Sequence, residues 1–95
     1  MKQDELSTEY IQKLITQECD EIKELLLQKN KEYGNSAFDP KRIFSKASPI
    51  EQIKVRIDDK LSRLANDNKK EIQEDTTKDL IGYLIILRVA EKLNL

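Results

Sequence analysis

An all-α domain of three main helices plus a short connecting helix is the fold this sequence predicts, and three observations carry it. The 95 residues include only two Gly and two Pro, too few breakers for a turn-rich β fold. Charged residues make up 37% of the chain and apolar residues 38%, the balance expected of helices with one buried face and one wet one. Apolar positions recur at three- and four-residue steps in three separate stretches. The length fits a single domain over residues 1–95. A domain this small buries a modest share of its surface, so its helical core is expected to be completed by homo-oligomerisation, with a dimer as the default.

The first helix is expected over about residues 7–28, because Ile11, Leu14, Ile15, Ile22, Leu25 and Leu26 share a face while Gln12, Lys13, Gln17, Asp20 and Lys23 point away. Glu21, Lys23 and Glu24 read as a solvated face with local ion pairs. Residues 29–47 break the periodicity at Gly34-Asn35-Ser36 and are long for an unstructured connection. Asp39-Pro40 reads as an N-cap and first helical residue, so a short helix over about 40–45 is expected, with Ile43 and Phe44 packed inward. Ser48-Pro49-Ile50-Glu51 is a strong start signal for helix 2, over about 49–65. Its stripe is Ile50, Ile53, Ile57, Leu61 and Leu64, and Asn66 to Lys70 reads as a loop. Helix 3 is expected over about 75–93, opened by acids and by a second capping box of Thr76 with Asp79. Leu80, Ile81, Leu84, Ile85, Leu87, Val89, Ala90 and Leu93 cover most of its circumference, which predicts a helix surrounded by partner helices. Gly82 is affordable there if it lets another backbone approach closely.

The same composition excludes several functions. Seventeen basic residues against 18 acidic ones leave a net charge of −1, no field for a nucleic-acid backbone or an anionic membrane, so neither direct DNA binding nor membrane association is expected. The longest apolar run, residues 80–87, is far shorter than the ~20 residues of a membrane span. A lone Cys19 and a polar start at Met1-Lys2-Gln3-Asp4 carry no sign of export, which makes the cytoplasm the expected location. The absence of His removes the commonest metal ligand and general base, and with it Ser–His and Cys–His nucleophilic chemistry within one chain type. A metal would be held by carboxylates, hence Mg²⁺-like.

The polar residues that remain form two rows. On helix 2, Arg56, Asp59, Lys60 and Arg63 lie three, four and seven residues apart, one charged flank beside the apolar stripe. On helix 3, Asp75, Asp79 and Tyr83 follow at steps of four. The plainer reading is that Arg56 and Arg63 pair with Asp59, Asp75 or Asp79 to orient the helices. The sharper one is that the carboxylates hold Mg²⁺ while the cations take a polyphosphate, with Tyr33, Phe38 or Tyr83 stacking on a base.

Three strings in order carry a resemblance: Lys29-Asn30-Lys31-Glu32-Tyr33-Gly34-Asn35-Ser36-Ala37-Phe38, then Arg56-Ile57-Asp58-Asp59-Lys60-Leu61-Ser62-Arg63, then Glu74-Asp75-Thr76-Thr77-Lys78-Asp79-Leu80-Ile81-Gly82-Tyr83. Over roughly residues 22–92 the chain resembles the nucleotide modification associated domain family, small helical proteins common in phages and prophages. These are thought to be similar to MazG-like all-α nucleotide pyrophosphohydrolases, which work as dimers or tetramers with Mg²⁺. The resemblance implies a MazG-like fold and marks Lys31, Tyr33, Arg56, Asp59, Lys60, Arg63, Asp75, Asp79 and Tyr83 as the family-matching polar positions; by their chemistry, Lys31, Tyr33, Arg56, Lys60, Arg63 and Tyr83 are expected to bind ligand and Asp59, Asp75 and Asp79 to hold a metal. It departs from the MazG-like pattern on helix 2, where Arg56 and Lys60 stand amid Asp58 and Asp59 in place of a Glu-Glu-x-x-Glu motif. It departs again on helix 3, where Thr76 takes the Glu position before Asp79. Cations at such places weaken metal binding and strengthen phosphate binding. The expectation is therefore a nucleotide-binding protein with weak or no hydrolysis, an anti-defence candidate if it captures a host nucleotide signal. A Mg²⁺-dependent pyrophosphohydrolase and a protein-binding inhibitory or structural helical module are the alternatives.

Overall fold

The computed structural model describes residues 7–39, 43–66 and 70–95, with side chains from Asp75 onward in the last span. Three helices account for most of them: α1 (Thr8–Tyr33), α2 (Pro49–Asn66) and α3 (Lys70–Lys92). Among the described residues there is no strand, in agreement with an all-α chain. The chain divides into two units, Met1–Glu32 and Tyr33–Leu95.

The first unit is α1. Ser7 caps it: its Oγ accepts the Tyr10 N–H at 3.2 Å while its carbonyl accepts from Ile11 at 3.0 Å, so two backbone donors of the first turn are satisfied. The helix runs five residues beyond the expected end at 28. The expected end was set by the apolar periodicity, which stops near Leu26, but Lys29 to Glu32 contains only tolerable helix formers. Gln28 Nε2 also donates to Glu32 Oε1 at 2.8 Å across one turn. The stop comes at Gly34, whose φ of 65° is left-handed and open to glycine at no steric cost. Lys23 lies 3.9 Å from both Asp20 and Glu24 with all three side chains exposed, the solvated face expected of this helix. Ile22 is buried, whereas Ile11, Leu14, Ile15 and Leu25 on the same stripe are exposed.

In the second unit the turn after Gly34 is closed by the Phe38 and Asp39 N–H groups, which both donate to the Asn35 carbonyl at 2.9 and 3.1 Å. This aims Phe38 at the core, where it packs against Ile53, Ile57 and Ala90. The connecting helix expected over 40–45 needs correction. Residues 40–42 lie outside the described residues, and 43–45 are not helical. Ile43 and Phe44 do not pack inward either: Phe44 is 96% exposed. Ser45 Oγ accepts the Ala47 N–H at 3.1 Å, a local side-chain bond that competes with a helical turn too short to gain from cooperativity.

Helix α2 starts where its sequence predicts. Ser48 Oγ accepts the Glu51 N–H at 3.2 Å, the Ser48 carbonyl accepts from Gln52, and Gln52 Nε2 donates to the Ala47 carbonyl at 3.0 Å. Pro49 in the first helical position has no N–H to lose. Only residues 67–69 separate α2 from α3, so the two form a helical hairpin, as short connections require of antiparallel neighbours.

Helix α3 begins at Lys70, five residues earlier than expected. Polar composition around residue 70 was the signal for a loop, yet Glu71, Gln73 and Glu74 are good helix formers and a hairpin needs few loop residues. Thr76 is consequently no cap: it sits inside the helix and is 4% exposed. The end is a Schellman motif, with Asn94 at φ 57°, its N–H donating to the Glu91 carbonyl and the Leu95 N–H donating to the Ala90 carbonyl.

The hairpin core is Ile53 and Ile57 from α2 against Ala90 from α3, flanked by Phe38, Ile50, Leu80, Tyr83, Ile86 and Leu87. Ala90 has no exposed surface at all; a methyl group at this point lets the two helices close up. Elsewhere round α3, Ile81, Ile85, Val89 and Leu93 form an exposed apolar row at steps of four.

Candidate functional site

The position of the α2 flank follows from helix geometry. At about 100° per residue, Lys60 lies only about 20° from Ile53, whereas Asp59 lies about 120° away and Arg56 and Arg63 fall between. Lys60 is thus the flank member drawn into the seam with α3, where its stem covers apolar surface and its ammonium stays near the edge. Arg56, Asp59 and Arg63 are exposed.

On α3 the same arithmetic puts Asp79 and Tyr83 on the face that carries Ala90. The hairpin brings them to Lys60. Lys60 Nζ is 3.4 Å from Asp79 Oδ2, with the lysine side chain 15% exposed and the aspartate 39%. The same Nζ lies 6.0 Å from the centroid of the Tyr83 ring, at the outer range of a cation–π contact worth about 0.5–1 kcal/mol when partly wet. A lysine held between a carboxylate and an aromatic face, with a guanidinium one turn along α2 in each direction, is a cationic row with one paired and two exposed members.

Ion pairing between the helices was expected from the arginines, and the structure places it on Lys60. Among the described residues neither Arg56 nor Arg63 has an ion-pair partner. The signal was available in the sequence, since of the three cations on the flank Lys60 is the closest in angle to Ile53. Thr76, a buried polar residue one turn before Asp79 on the same inner face, was missed for a different reason: a capping pattern and an interior position read alike when the helix start is misplaced.

The remaining candidates fall as follows. Asp75 is exposed one turn before Asp79. Among the described residues no group of three or more acidic or cysteine side chains is placed to hold a metal ion, so Asp59, Asp75 and Asp79 do not assemble into one, and Asp79 directs an oxygen to Lys60. Lys31 and Tyr33 occupy the last turn of α1 and are exposed. Phe38 and Tyr83 are half-buried and pack against the hairpin core. Cys19 is exposed on α1. No helix among the described residues is long and apolar enough to cross a membrane.

No family model, curated protein or solved structure matches the chain.

Proposed function

We propose that this protein binds a phosphorylated nucleotide or nucleotide-derived signal along the α2 flank and hydrolyses it weakly or not at all. The observation that carries the reading is Lys60, fixed at the α2·α3 seam by Asp79 and Tyr83 and continued by exposed Arg56 and Arg63 on the same flank. Arginine forks and a lysine point charge are the side chains best suited to phosphate oxygens. The resemblance to the nucleotide modification associated domain family points the same way. Pyrophosphohydrolysis is the lesser reading because it calls for a cluster of carboxylates, and Asp79 is engaged with a cation.

A homo-oligomer belongs to the same reading. Its support is the row Ile81, Ile85, Val89 and Leu93, exposed on α3, which a helix of a second copy would cover by ordinary ridge-and-groove packing.

The test is a thermal-shift screen of the purified protein against linear nucleotides, cyclic nucleotides and ADP-ribose-type compounds, with and without Mg²⁺, followed by recovery of each stabilising ligand. A ligand that prefers the folded state must raise the midpoint. A shift with the ligand recovered intact is the expected result. Consumption of the ligand would restore the enzyme reading, and the absence of any shift would favour a protein-binding module.

A further inference from the structure

The Lys60–Asp79 pair sets a condition on what the flank can hold. In the free protein the charge of Lys60 is matched by a carboxylate oxygen 3.4 Å away. An anion that approached this ammonium would lie within a few ångströms of Asp79, where like charges repel. Asp59 adds a second carboxylate to the same flank. What remains unmatched by a near partner among the described residues is the pair of guanidinium groups, Arg56 and Arg63. They stand about 6 Å before and about 4.5 Å after Lys60 along the helix axis, at about 1.5 Å per residue.

Resting on the nucleotide-binding reading above, we infer that Asp79 is an internal competitor for the anion, and that it makes the α2 flank prefer ligands with two or more linked phosphates over single phosphates. A single phosphate can engage one arginine, or reach Lys60 only by displacing Asp79 with one group's worth of contacts. A linked di- or triphosphate is anchored by an arginine first, so its second phosphate meets Lys60 at high effective concentration and displaces Asp79 without a second loss of translational freedom. Displacement is feasible because the Asp79 side chain is 39% exposed and can be hydrated where it stands. The competitor sits on α3 and the cations on α2, so selectivity comes from the packing of the hairpin. Asp79 is on this account a specificity-determining residue that does not contact the ligand.

The experiment is isothermal titration of orthophosphate, pyrophosphate and tripolyphosphate into wild type, Asp79→Asn and Asp79→Glu, at constant ionic strength with a chelator present. Wild type is expected to bind tripolyphosphate well above orthophosphate. Asp79→Asn should bind orthophosphate about two- to fivefold more tightly than wild type, the scale of one partly exposed ion pair, and the gap between ortho- and tripolyphosphate should narrow. Asp79→Glu, which keeps a competing carboxylate, should stay close to wild type in that gap. If Asp79→Asn is poorly folded by circular dichroism, Asp79→Ser takes its place. Unchanged or weaker orthophosphate binding in the neutral variant would overturn the inference while leaving the flank as a phosphate site. Tighter binding with an unchanged gap would overturn the selectivity claim. A failure of all three probes to bind wild type and the neutral variant alike would remove the underlying reading as well.

Discussion

Replacing Ile57 by Ala is the sharpest test of the hairpin that positions Lys60. Ile57 is buried in the seam with Ala90, and the substitution removes Cγ1, Cγ2 and Cδ1. At about 0.8 kcal/mol for each buried methylene-sized group, lost transfer energy comes to about 2.4 kcal/mol. A cavity term adds to this, but no large side chain among the described residues is fully buried, so the site can collapse or take in water and the cost should fall at the low end of the Ile→Ala range. About 2–3 kcal/mol is expected. For a small domain this lowers Tm by about 10–20 °C. The assay is urea denaturation followed by helical circular dichroism at fixed protomer concentration, since association would make the midpoint concentration-dependent. Val55→Ala serves as the control: Val55 lies on the face of α2 opposite the seam and is 57% exposed, and the change should lie within about 0.5 kcal/mol of wild type. Equal effects at the two positions, or a loss below about 1 kcal/mol for Ile57→Ala, would mean that the Ile53–Ile57–Ala90 seam does not hold the hairpin together.

Two further outcomes follow from particular contacts. Ser48→Ala removes the oxygen that accepts the Glu51 N–H and should cost about 1 kcal/mol, with Ser48→Asp restoring most of it; equal stability of the alanine and aspartate variants would show that the cap contributes nothing. Ile85→Glu puts a charge in the middle of the exposed α3 row. Wild type should run in light scattering at a multiple of the 11.1 kDa chain mass and the variant at a single chain, so a wild-type monomer, or a variant of unchanged mass, would refute the oligomer.

The three helices were legible because a helix signal is local. Caps such as Ser48 with Pro49, the glycine stop at Gly34 and the three- and four-residue apolar steps all act within one or two turns, so the residues that specify them are neighbours in sequence. Two ends were misplaced for the complementary reason. The expected ends were set by the apolar periodicity, and both the last turn of α1 and the first turn of α3 continue past it in mostly polar residues. The expected helix at 40–45 was read from a Pro40 start signal, and at 43–45 no run of residues long enough to propagate a helix follows it.

The candidate site divides along the same line. Sequence alone determined that Arg56, Asp59, Lys60 and Arg63 share a flank and that Asp75, Asp79 and Tyr83 share another, because helical spacing needs no knowledge of the neighbour. Which cation meets which carboxylate was decided only when α2 packed on α3. Several pairings of the two rows satisfy charge equally well, and Coulomb attraction between exposed groups is too weak and too long-ranged to choose among them. Contact between Ile53, Ile57 and Ala90 has no such freedom, since close packing admits one register of the hairpin. That register carries Lys60 to Asp79 and leaves the arginines in water.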